Sequence, residues 1–116
     1  MSKFEGRRKY PRRQFVRTIG ILSAGVYYIS KSCEIGEGGM SFSISGDVAL
    51  HDEVILSFYI PGKDLIVVRA AIRATNKDKT SDGFIIGCHF ENLKFEHKRL
   101  IRTFVSEKTE LEYFAH

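Results

Sequence analysis

The clearest pattern along the chain is strict alternation of apolar and polar positions. Met40-Ser41-Phe42-Ser43-Ile44-Ser45 alternates at every step, which predicts a half-buried strand with Met40, Phe42 and Ile44 inward. Val54, Leu56, Phe58 and Ile60 form a second inward set, ended by Pro61-Gly62. Leu65 to Thr75 reads as a long strand, residues 76–83 as a polar turn, and Phe84 to Phe90 as the returning strand. Upstream, residues 17–29 are rich in Ile, Val and Tyr and read as one strand, with Gly20 and Gly25 as bend or bulge points. Ser30 to Gly39 reads as a polar, glycine-containing connection. Five strands at roughly ten-residue spacing predict an antiparallel sandwich or small barrel.

The period lengthens after Asn92. Leu100, Ile101, Phe104, Val105 and Leu111 recur near i, i+4, i+7, with Lys98, Arg99, Arg102, Glu107 and Lys108 between them. This predicts an amphipathic C-terminal helix that caps the barrel or packs on one mouth. The fold class expected is mainly β: a small antiparallel β-barrel with a basic N-terminal arm, residues 1–17, ahead of the barrel and helix, residues 18–116, in a single domain.

Composition supports one domain with its own core. The chain has 116 residues, 43% of them apolar, including nine Phe, so neither disulfides nor a metal are required to hold it. Charge changes the picture more. The net charge of +4 is segregated: Lys3, Arg7, Arg8, Lys9, Arg12, Arg13 and Arg17 stand against Glu5 alone, giving +6 for residues 1–17 and −2 for the rest. Solubility does not require such clustering, so the arm is expected to meet an anion.

Other chemistry is sparse. Cys33 and Cys88 lie far apart, with no C-x-x-C pair and no ligand spacing to His51, His89, His97 or His116, so no metal site is expected. Free thiols in a reducing compartment and the lack of an apolar signal region suggest a cytoplasmic protein. Ile19 to Ile29 is too short and interrupted to span a bilayer. Cys88 and His89 are neighbours in a strand and point to opposite faces, and no nucleophile–base–orienter set is present, so an enzyme is not expected.

Arg8 and Arg12 are four residues apart, and Pro11 disfavours helix at Tyr10, so the arm is expected to be extended or turned. Guanidinium groups bond phosphate in bidentate fashion and stack on flat rings, which suits a ligand carrying phosphates and bases. Downstream, Glu34-Ile35-Gly36-Glu37-Gly38-Gly39 reads as a glycine-rich turn entering the alternating strand. Its glycines allow close backbone approach, whereas a phosphate loop opening a helix is excluded by the strand that follows.

The two features together resemble the PilZ domain family of bacterial cyclic di-GMP receptors, in which an R-x-x-x-R arm precedes a [D/N]-x-S-x-x-G turn. Arg8 to Arg12 supplies the first motif, with Arg7 as the frequent double-arginine start. GGMSFSI, IIGCHFENL and LIRTFVSE resemble the family's following strand, last strand and C-terminal element. The resemblance implies a ligand site at Arg7, Arg8, Arg12, Glu34, Gly36 and Gly39, cyclic di-GMP as ligand with no cofactor, and an arm that orders on binding to signal to a downstream protein target. It also implies roles in motility or biofilm control. Glu34 departs from the expected Asp or Asn, and Gly36 from the expected Ser. A missing hydroxyl bond costs ~0.5–1.5 kcal/mol, about a twofold to tenfold loss in affinity. The altered turn motivates an alternative, a PilZ-like adaptor acting through protein contacts without nucleotide. Nucleic acid is not the expected partner, because no basic stripe continues over the body. A homodimer stays open.

Overall fold

The structure, a computed structural model, describes residues 10–115 and the side chains of residues 10–107. The order of elements is β1 (Arg12–Gln14), β2 (Thr18–Ser23), β3 (Val26–Gly36), β4 (Gly39–Ile44), β5 (Glu53–Tyr59), β6 (Leu65–Lys77), β7 (Phe84–Glu91) and α1 (Phe95–Ala115). All strand pairings are antiparallel. The sheet runs β1-β3-β2-β5-β6-β7-β4, and a further β3–β4 pairing closes six strands into a barrel with β1 added outside the ring. The mainly β barrel with one C-terminal helix is therefore the observed fold.

The alternating segments place their apolar sets as expected. Met40, Phe42, Val54, Leu56, Phe58 and Ile60 are all buried, and Ile44 is half-buried. Phe15 from the arm joins this core, meeting Phe58 and Phe104 edge-on with centroids 6.1 and 5.6 Å away.

The amino-terminal half departs from the sequence reading. Residues 17–29 are two strands, not one: β2 and β3 form a hairpin through Ala24 and Gly25. Both have positive φ, 49° and 85°, as a two-residue turn matching the strand twist requires. Ala24 carries no turn signature, which hid the hairpin. The stretch read as polar connection is strand as far as Gly36, so Glu34 and Gly36 lie in β3 and only Glu37 and Gly38 turn the chain into β4. Hydrogen bonding to three neighbours, β1, β2 and β4, holds this polar segment extended despite its composition.

β1 and β2 run along the same edge of β3, interrupted at residues 15–17. Ser32 stitches the break: its hydroxyl accepts from the Arg17 N–H at 3.0 Å and donates to the Phe15 carbonyl. A buried hydroxyl with both functions satisfied is stabilising, whereas the same group unpaired would be costly.

α1 begins after the β7 strand breaks at Asn92, whose φ is 55°. Ile101 and Val105 are buried against the barrel, with Leu100 and Phe104 half-buried. The Leu111 side chain lies outside the described residues. Among the described residues, no helix is long and apolar enough to cross a membrane.

Candidate functional site

An open groove of about 780 Å³ runs over the outer face of the barrel where β1, β3 and β4 meet the β6–β7 connection. Strand alternation sets its floor. With Met40 and Phe42 inward, Ser41 and Ser43 of β4 face out into it. The β1–β3 register places Arg12 opposite Gly36 and Gln14 opposite Glu34, so these outward side chains share one face. Lys31 and Cys33 extend the wall along β3, and Asp78 and Thr80 close the far side.

The groove carries both signs of charge. Arg12 Nη1 stands 3.9 Å from Glu34 Oε1, with both side chains about half exposed. An exposed pair at that distance contributes little and leaves both groups free to change partners. The Glu34 N–H donates to Ser41 Oγ at 3.2 Å, and the Ser43 hydroxyl donates to the Lys31 carbonyl at 3.4 Å, tying the two strands together beneath the charges. In the β6–β7 connection the Asp78 carboxylate accepts from the Thr80 N–H at 2.9 Å and from the Thr80 and Ser81 hydroxyls, bonds that hold it below the usual carboxylate range. Burial pushes the Cys33 thiol above its ordinary range. The Ser41 hydroxyl acts against this, and Asp78 and Glu34 add to it. A thiol so placed is protonated at neutral pH and is not an activated nucleophile.

Adjacent residues of β1 point to opposite sides. Arg12 faces the groove, while Arg13 reaches α1, donating to the Phe104 carbonyl at 2.9 Å and stacking over the Phe104 ring at 3.9 Å. A second clamp lies in the β3–β4 turn, where Arg102 of α1 donates to both oxygens of Glu37 at 3.1 and 2.7 Å. That hydrogen bond is the main reason the Glu37 carboxyl is held below its usual range.

Of the residues singled out from the sequence, Arg12 and Glu34 come together over the groove. Gly36 lies beneath β1: a Cβ there would fall 2.7 Å from the Pro11 carbonyl oxygen and 3.2 Å from Arg12 Cγ. Its lack of a side chain is what allows β1 to lie down in this register. Gly39 is placed by the barrel itself, its Cα hydrogen directed at the Cys88 carbonyl, where a Cβ would stand at 1.9 Å. Arg7 and Arg8 lie outside the described residues. Sequence reasoning missed Gln14, Lys31, Ser41, Ser43, Asp78 and Thr80. The alternation of MSFSIS already implied that Ser41 and Ser43 share an outer face, but nothing in the sequence joined them to Asp78. Among the described residues, no cluster of three or more His, Cys, Asp or Glu could hold a metal ion.

Fold and groove together define a small antiparallel barrel domain with a polar, mixed-charge cleft flanked by its N-terminal strand. A profile of the PilZ domain matches residues 6–107, and the chain belongs to the PilZ domain family. No curated protein sequence matches it. Solved structures of similar fold include the Bacillus subtilis inhibitor of motility, MotI/DgrA, at a TM-score of 0.80 and 16% identity, covering 89% of this chain and 51% of that one. The PilZ domain of YcgR from Escherichia coli with c-di-GMP superposes at 0.68 with 10% identity, covering 91% and 94%. The K. pneumonia MrkH–c-di-GMP complex superposes at 0.70 with 15% identity, covering 95% and 56%. The chain thus spans about half the length of the motility inhibitor and nearly all of the YcgR domain.

Proposed function

We propose that this domain is a cyclic di-GMP receptor that takes its ligand in the groove over β1, β3 and β4. The observation that carries the reading is the juxtaposition of Arg12 and Glu34, a cation and an acceptor held on neighbouring strands above a floor of hydroxyls. The Arg12 guanidinium suits a phosphate or the face of a guanine, and Lys31 adds a point charge for phosphate. Glu34 presents a carboxylate to the N–H donors of a guanine edge. Arg8 is four residues before Arg12, so an extended chain keeps it within about 14 Å of the groove's cation. Arg7 and Arg8 complete the arm's grip in this reading, with Gly36 and Gly39 shaping the strand approach. Membership of the family and the c-di-GMP named in the YcgR and MrkH complexes support the choice of ligand.

Binding would bring the basic residues ahead of β1 onto the ligand and present a changed surface to a downstream protein target, a population shift coupled to ligand. Similarity to an inhibitor of motility supports a motility component as that target, reached in the cytoplasm. Titration calorimetry of the full chain with cyclic di-GMP tests the receptor reading. Saturable binding is expected, and Arg12→Ala should weaken it about tenfold to a hundredfold, the equivalent of charge-assisted bonds of ~1.5–3 kcal/mol. No heat with correctly folded protein at high micromolar ligand would overturn it.

A further inference from the structure

β1 stands outside the closed ring, has three residues and, among the described residues, pairs only with β3. So short a pairing supplies few hydrogen bonds, and its register depends on the side chains that fasten it. Arg12 and Arg13 are identical in type, so nothing in their own chemistry selects which of them faces the groove. A slip of one residue would exchange their faces and carry Arg12 away from Glu34.

Two side chains at this strand settle the choice, and both meet the Phe104 ring of α1. Arg13 holds its guanidinium carbon 3.9 Å from the ring centroid and donates from Nη1 to the Phe104 carbonyl at 2.9 Å. Stacking on a ring while donating in the plane of the group needs a planar guanidinium. Phe15, one residue past the strand, is buried and meets the same ring edge-on with centroids 5.6 Å apart. Its N–H donates to the carbonyl of Cys33, which lines the groove, at 2.8 Å. The same turn of α1 holds the other end of the site. Arg102, two residues before Phe104, grips both oxygens of Glu37 in the β3–β4 turn. The Tyr10 ring lies over Gly38 of that turn, where a Cβ would stand 3.0 Å from Tyr10 Cδ2. α1 thus ties down both β1 and the turn that leads into β4.

We infer that Arg13 is a positioning residue for ligand capture: held on Phe104, it turns β1 so that Arg12 faces the groove, and α1 becomes part of what sets ligand affinity. This rests on the receptor reading of the groove. β1 supplies Arg12 and Gln14 to the groove lining, whereas the Arg13 guanidinium lies on the helix side of the strand. Without the clamp, β1 spends part of its time with Arg12 turned away, and the apparent affinity falls by the fraction that stays docked. By linkage, ligand strengthens the docking of β1 on α1 by the same factor that docking strengthens ligand binding.

Titration calorimetry with cyclic di-GMP on the full chain and its variants tests the inference. Arg13→Ala is expected to weaken binding about fivefold or more, the ordinary scale of coupling between sites. Arg13→Lys keeps the charge and a donor without the planar fork, and its affinity should fall between the two. Phe104→Leu removes the ring from the other side of the clamp and should also weaken binding. The double variant Arg13→Ala, Phe104→Leu should lose less than the product of the single losses, because the two residues act as one unit. The ratio of parent to Arg13→Ala affinity should persist from about 50 mM to about 500 mM salt, since positioning is not screened as a distant charge is. Circular dichroism and thermal midpoints establish that each variant is folded at the titration temperature. If Phe104→Leu does not fold, the Arg13 variants and the salt series decide. A parent that binds while Arg13→Ala binds equally well overturns the inference and leaves the receptor reading standing. A ratio that vanishes at high salt, a folded Phe104→Leu chain that binds as the parent does, or single losses that multiply in the double variant each overturn it too. A parent that binds no ligand overturns both.

Discussion

At Gly36 a departure from the family motif has a local steric cause. Where the motif has serine, this chain has the only residue that lets the Pro11 carbonyl and the Arg12 stem pass directly above β3. Gly36→Ser should therefore destabilise the fold by about 1–3 kcal/mol, as crowding a packed site does, and should loosen β1 rather than restore a contact. Urea unfolding measures the first effect and amide exchange at Arg13 and Gln14 the second; unchanged values in both would refute the steric account. From the sequence both arginines are expected to meet an anion, but while Arg12 faces the groove, its neighbour Arg13, identical in type, serves the helix. Strand alternation separates their roles, and that alternation was not legible while β1 was read as an arm without partners.

Among the elements, α1 is the clearest case of a pattern read from sequence and a placement that was not. Its apolar period predicted the helix and the burial of Ile101 and Val105. The polar fastenings came from elsewhere in the chain: Glu37 in the β3–β4 turn grips Arg102, and Arg13 in β1 grips Phe104. The Glu37 carboxyl has an ordinary value of 4.5 and is lowered, chiefly by its hydrogen bonds from Arg102. A lowered carboxyl binds fewer protons folded than unfolded. Its contribution is therefore complete above the ordinary value and is lost as pH falls through the lowered one. Thermal midpoints followed from about pH 6 to pH 3 should fall with acid, and Glu37→Gln should flatten part of that fall. A variant with the same acid slope as the parent would show that the clamp carries none of it.

For the whole molecule, closure of the ring through the β3–β4 pairing makes one core out of residues far apart in sequence. Phe42 is fully buried in that core, on the strand that completes the ring. Phe42→Ala should cost about 3–5 kcal/mol, a large part of the 5–15 kcal/mol that a domain of this size holds. Guanidinium denaturation should show a lowered midpoint with an unchanged slope, and a loss below about 1 kcal/mol would place Phe42 outside the cooperative core.

By itself the sequence determined the barrel class, the inward sets of β4 and β5, the terminal helix and the family resemblance. Each of these rests on periodicity or on residues close together along the chain. Tertiary structure alone decided that residues 17–29 form a hairpin, because an alanine in left-handed geometry gives no turn signal. It also decided that the segment around Glu34 is strand, because three neighbouring strands supply hydrogen bonds that composition does not reveal. The groove belongs to the same category. Arg12, Glu34, Ser41 and Asp78 meet only because an antiparallel register and a closed ring bring four separate segments to one face, and register is a property of paired strands rather than of any one of them.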